Sequence, residues 1–167
     1  MRSRRPSLGH CFGSLLRYER SAITSYRHAE EAMLDPADRE VLAEIRRAHE
    51  ELADDLTAVM TEGEYATDEA MGLWGVLETL VTTTTEILGS RSMLNVLIWS
   101  ERHAAHTYEA AMRISGLSSS QLRLLQRALH QIPGHIIRLE GLLGRYRDGN
   151  PQCMACYSGR RATVPLA

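Results

Sequence analysis

The sequence has no lysine, only three cysteines and no long uncharged stretch. All 19 basic residues are arginines, and 21 acidic residues nearly balance them, leaving a formal charge of −2. A dedicated nucleic-acid-binding protein usually has a strongly basic face, so this balance argues against nucleic acid as a partner. The cysteines, Cys11, Cys153 and Cys156, are too few and too odd in number for a disulfide framework.

The basic N-terminal residues 1–6 are not followed by the apolar segment of a signal peptide, because charged residues such as Arg17 and Glu19 interrupt the pattern. No uncharged run is long enough to span a bilayer either. We therefore expect a cytoplasmic protein without a membrane partner. Phosphate loops, nucleotide fingerprints and a nucleophile with an evident base are also missing from the sequence.

Apolar residues recur at spacings of three and four nearly everywhere, while the alternation typical of strands is missing, which predicts an all-α protein. We predict four long helices over about 7–34, 36–61, 91–114 and 118–147. Asp35 is the expected N-cap before Pro36, and the segment from Ser118 to Gln121 reads as a capping box. Pro133 lies inside the fourth helix and should kink it.

A shorter helical segment containing Trp74 is predicted at about 68–88, between the second and third long helices. Short connections would make the other consecutive helices antiparallel hairpins, and this crossover could return the chain along the bundle. We expect one folded unit at 1–148 and a flexible tail at 149–167. The tail contains the pair Cys153 and Cys156, and its apolar end could dock onto another protein.

Polar residues occupy helix positions that should be apolar. Glu19, His49 and Glu101 lie within the apolar stripes of the first, second and third helices, and His135 borders the stripe of the fourth. A buried carboxylate is costly, so each must find a proton, a partner or a metal ion.

The first and third helices share the string Glu-Arg-x-Ala-x-x-x-Tyr, at 19–26 and 101–108. Internal pseudo-two-fold symmetry is the economical explanation of this repeat. Its tyrosines, Tyr26 and Tyr108, are hydrogen-bond partners of the buried carboxylates, redox-active groups near a metal, or ordinary core residues with a satisfied hydroxyl.

These features resemble the ferritin-like superfamily, and over about 15–143 a bacterial ferritin-like family of unknown function. Di-iron members use one Glu from each of two helices and Glu-x-x-His from each of the other two. Glu19 and Glu101 match the lone glutamates, and His49 and His135 match the histidines. Arg46 and Ile132 stand where the paired motifs have glutamate, which puts the chemistry of a normal di-iron centre in doubt.

The resemblance implies a ferritin-like antiparallel four-helix bundle that binds iron, or manganese or zinc, through the four matched residues. It also implies a homodimer, a role in iron handling or oxidative stress, and oxidase or peroxidase activity if iron is bound. The alternative is a metal-free structural or protein-interaction bundle. In that bundle Arg46 would pair with Glu19 or Glu101 and neutralise the core carboxylates.

Overall fold

The computed structural model describes residues 7–65 and 89–146, and every regular element in this part of the chain is an α-helix. The helices are α1 (Leu8–Ala32), α2 (Pro36–Glu62), α3 (Ser90–Met112) and α4 (Ser119–Arg145). The prediction of four long helices is confirmed, with each end within two residues of its predicted position. The predicted crossover helix with Trp74, and the tail at 149–167, lie outside the described residues.

Two of the helix starts are capped by the residues that the sequence indicates. The Asp35 carboxylate accepts a hydrogen bond from the Ala37 N–H at 2.8 Å, and Pro36 occupies the first turn of α2. At α4, Ser118 and Gln121 form a reciprocal capping box, with side-chain-to-backbone bonds of 2.9 and 3.2 Å. These short-range bonds explain why the boundaries were predictable.

The helices pack in four pairs: α1 with α2, α3 with α4, α1 with α3, and α2 with α4. Each helix turns one stripe inward, and the stripes meet in a continuous apolar core. Three tyrosines, Tyr18, Tyr26 and Tyr108, are among the largest fully buried side chains of this core. The middle of the bundle is therefore unusually rich in hydroxyl groups that need partners.

The apolar periodicity of α4 predicts an inward face of Leu122, Leu125, Leu129, Ile132, Ile136, Leu139 and Leu143, and the observed face is rotated slightly from it. Its buried residues are Leu124, Leu125, Ala128, Ile132, His135, Leu139 and Leu142, whereas Leu122, Leu129, Ile136 and Leu143 are only half-buried. His135 is consequently in the stripe and not at its border. The helix is continuous across Pro133, whose side chain is exposed.

None of the four described helices combines the length and the apolarity needed to cross a bilayer.

Candidate metal centre

The four predicted site residues lie together in the middle of the bundle, one from each helix. Glu19 and Glu101 are fully buried, and His49 and His135 are 2% and 6% exposed. Each occupies a position in the apolar stripe of its helix, so the same packing that buries the neighbouring leucines carries these polar groups inward.

His49 joins the two carboxylates. Its Nδ1 lies 2.6 Å from a Glu19 oxygen, and its Nε2 lies 3.0 Å from a Glu101 oxygen. A carboxylate can only accept a hydrogen bond, so both ring nitrogens carry a proton and the imidazole is cationic. Burial alone would lower the pKa of His49, but Glu101 and Glu19 outweigh it and raise that pKa to about 10.

Glu101 accepts more hydrogen bonds than any other side chain described at the site. One oxygen accepts bonds from the Tyr26 hydroxyl at 2.8 Å and from His49, and the other lies 3.3 Å from Nδ1 of His135. Burial alone would raise the pKa of Glu101, but the two histidines outweigh it and lower that pKa to about 2. Glu101 is therefore an ionised carboxylate in a fully buried position.

The two copies of the sequence repeat bond reciprocally. Tyr26, seven residues after Glu19, donates to Glu101, while Tyr108, seven residues after Glu101, donates to Glu19. Both tyrosines are therefore hydrogen-bond partners of the buried carboxylates. The reciprocal bonds relate α1 and α3 as the pseudo-two-fold repeat predicts.

These hydroxyl bonds make a measurable contribution to stability. We expect Tyr26→Phe and Tyr108→Phe each to lower the free energy of unfolding by about 1.5–3 kcal/mol, because each loses a donor to a buried charged acceptor. Urea denaturation measures this difference. Tyr65→Phe is the control, since Tyr65 packs through its ring against Phe12 at the end of the bundle. Equal stabilities for all three variants would contradict the assignment.

Aromatic rings enclose the His49 imidazole. Tyr26 stacks on it with ring centres 5.2 Å apart, Tyr18 meets it edge-on at 6.0 Å, and the His135 ring lies at 5.3 Å. Burial raises the pKa of Tyr18 and Tyr26 well above the ordinary value for tyrosine, and the nearby carboxylates raise it further. Both phenols therefore stay protonated. Sequence reasoning missed Tyr18, although it directly precedes Glu19 in a helix with a wide buried face.

Three of the four residues can converge on one ion. Ligand atoms of His49, Glu101 and His135 all lie within 4.8 Å of one another. Glu19 stands outside this group and contacts the opposite ring nitrogen of His49. A carboxylate behind a histidine is the usual outer partner of a metal-ligating imidazole, where it orients the ring.

The expectation that Arg46 pairs with Glu19 or Glu101 is wrong. Its guanidinium instead bonds Glu30 on α1 at 2.6 Å and Glu50 on α2 at 2.5 Å, and the side chain is partly exposed. A long side chain can turn out of the core towards acids on its own surface, which avoids the cost of burying its charge. Ile132, the other departure from the di-iron pattern, is a buried apolar residue.

This placement predicts that Arg46 does not control the core. Arg46→Glu would put a third acid beside Glu30 and Glu50, so we expect it to cost about 1 kcal/mol of stability. Metal content, measured by inductively coupled plasma mass spectrometry, should stay at the wild-type level. Arg47→Glu is the neighbouring control, because Arg47 is exposed and pairs with Glu40. Metal content that rises only in Arg46→Glu would place Arg46 at the site after all.

Comparison with known proteins finds no matching family model, no matching curated protein and no matching solved structure. The function must therefore be argued from the chemistry of the site.

Proposed function

We propose that the protein binds one divalent transition-metal ion in its core through His49, Glu101 and His135. The observation that carries this proposal is the convergence of their ligand atoms within 4.8 Å, from three different helices and in a buried position. Two imidazoles and one carboxylate form a donor set that suits ferrous iron, manganese or zinc. Bound iron would supply the oxygen chemistry of an oxidase or peroxidase, and Glu19 would orient His49 from behind.

The charge of the site supports a cation. Glu19 and Glu101 both accept hydrogen bonds through both oxygens, as ionised carboxylates do, and the His49 imidazolium balances one of them. An uncompensated negative charge in a dry core is costly. A divalent ion that replaces the His49 proton adds two positive charges and removes one. It would therefore compensate the remaining negative charge.

The site is mononuclear in this proposal. A di-iron centre needs bridging carboxylates from the paired motifs, and Arg46 and Ile132 occupy those positions. Since the Arg46 guanidinium points to Glu30 and Glu50, and Ile132 offers no donor, the remaining ligands suffice for one ion.

The order of contacts supports the ferritin-like topology. Hydrogen-bond partners run in opposite order along α1 and α3, because Glu19 pairs with Tyr108 and Tyr26 pairs with Glu101. They also run in opposite order along α2 and α4, where Glu44 pairs with Arg138 and Asp55 pairs with Arg127. The three-residue link from α1 to α2 makes that pair an antiparallel hairpin. If α2 and α3 both oppose α1, they run in the same direction, which is the arrangement of a ferritin-like bundle with one crossover.

The proposal predicts both a stoichiometry and a proton count. Titration with Zn²⁺ should saturate at about one ion per chain and release about one proton per ion at neutral pH, because a metal-ligating histidine must lose its proton. Calorimetry in buffers of different ionisation enthalpy measures both quantities. No saturable binding to a folded helical sample would contradict the proposal.

One observation favours a metal-free structural bundle as the second candidate. Hydrogen bonds already connect His49 to both carboxylates, so the described network can hold the core together without an ion. In that case the protein would show no saturable binding of Zn²⁺, Fe²⁺ or Mn²⁺, and His49 would serve stability alone.

A further inference from the structure

A groove of about 360 Å³ lies between α2 and α4, and its lining includes one of the proposed metal ligands, His135. Its lining consists of Glu44, Ala48, Gln131, Gly134, His135 and Arg138. His135 is the member that connects the groove to the core, since it lines the groove and its Nδ1 faces Glu101. Six waters around a hydrated ion would fill ~180 Å³, at ~30 Å³ each. The groove is therefore large enough to hold such an ion.

Small residues keep this groove open. Ala48 stands on the α2 side and Gly134 on the α4 side. A Cβ built on Gly134 would meet no atom within 4 Å, so packing does not require glycine there. Glycine in the interior of a helix costs stability relative to alanine. The open space beside Gly134 is the groove itself.

The polar part of the lining presents an acceptor for a cation. Glu44 and Arg138 form an ion pair at 2.9 Å, with both side chains about half exposed. Gln131 also lines the groove, but its carbonyl oxygen Oε1 is shielded from solvent, so the Glu44 carboxylate is the acceptor that an incoming hydrated ion can reach.

We propose that this groove is the route by which a hydrated divalent cation reaches the core. Glu44 receives the hydrated ion, and His135 is the first ligand that it meets. The Glu44–Arg138 pair restricts the route, because the guanidinium holds the receiving carboxylate and repels the ion. This inference rests on the proposed function, since it names the loading path of the same site.

The test separates the rate of loading from the affinity of the site. Stopped-flow absorbance records Co²⁺ binding to the wild-type chain, Gly134→Leu and Gly141→Leu. Gly141 is the matched control, because it lies two turns further along the same face of α4, has no atom within 4 Å of a built Cβ and is not part of the groove. Gly134→Leu should load at least roughly tenfold more slowly with unchanged equilibrium affinity, and Gly141→Leu should load at the wild-type rate.

Two charge variants test the polarity of the route. Glu44→Gln removes the receiving carboxylate and should slow loading about threefold, whereas Arg138→Gln removes the repelling cation and should speed it by a similar factor. Both differences should shrink as salt is added. Opposite signs, with Arg138→Gln slow and Glu44→Gln fast, would overturn the proposal and make the groove a site for anions.

The failures of the two proposals are distinguishable. Equal loading rates in Gly134→Leu, Gly141→Leu and the wild-type chain, all with one Co²⁺ bound, would reject the route and leave the metal site standing. No Co²⁺ binding in any of them would reject both. If Gly134→Leu fails to fold by circular dichroism, Ala48→Leu narrows the groove from the opposite wall and should show the same slow loading.

Discussion

Glu101→Gln should weaken metal binding by at least about 100-fold, because it removes the only carboxylate of the three-residue ligand group. It should also lower the free energy of unfolding of the metal-free protein by about 3 kcal/mol, the lower end of the cost of breaking a buried ion pair. The amide keeps the shape of the side chain but leaves the His49 cation with Glu19 alone. Competition with a chromophoric chelator gives the affinity, and urea denaturation gives the stability.

The control for this variant is Glu140→Gln. Glu140 pairs with Arg102 at 2.8 Å on the surface, so the same chemical change there should cost less than about 1 kcal/mol and leave metal affinity unaltered. A Glu101→Gln protein that binds metal as tightly as the control would remove Glu101 from the ligand set.

His49→Ala should cost about 3–5 kcal/mol of stability at neutral pH and move the pH range over which stability changes to lower pH. The variant leaves Glu19 and Glu101 buried without the cation that lies between them. Protonating one carboxylate relieves the repulsion, so the variant should become more stable as the pH falls towards 5. Urea denaturation at pH 5, 7 and 9 measures the effect, and His106→Ala, at an exposed histidine, is the control.

Between pH 5 and 9 the wild-type protein should lose stability only above about pH 6.5. A raised pKa of about 10 for His49, against 6.5 when unfolded, gives stability that is full below pH 6.5 and is lost as the pH rises towards 10. The lowered pKa of about 2 for Glu101 gives stability that is present above pH 4.5 and is lost as the pH falls towards 2. A metal-free wild-type protein whose stability increases from pH 7 to 9 would contradict a cationic His49.

The sequence allowed the helices and the four core residues to be predicted for local reasons. Caps such as Asp35 and Ser118 act within one turn of the chain, and the positions of Glu19 and Glu101 within apolar stripes follow from helical periodicity alone. The cost of burying a charge then required partners for those carboxylates. His49 and His135 were found by the same periodicity, at or beside the apolar stripes of the other two helices.

The remaining features depend on contacts between helices, which periodicity does not contain. Arg46 turns towards Glu30, sixteen residues away, and no local signal distinguishes that partner from Glu19. The rotation of α4 that centres His135 is set by the neighbouring helices, because adjacent apolar residues such as Leu142 and Leu143 fit the stripe equally well by sequence, and only Leu142 is buried in it. The groove beside Gly134 requires the relative placement of α2 and α4.

Anomalous diffraction from crystals soaked in Co²⁺ tests the central claim most directly. The proposed site predicts one strong difference peak per chain, between Nε2 of His49, the Glu101 carboxylate and the His135 ring, with Glu19 still bonded to the other side of His49. The same crystals grown from Glu101→Gln should lack that peak. A wild-type map with density only at surface carboxylates, or with none in the core, would contradict a metal centre and leave the Glu–His network as a structural element of the bundle.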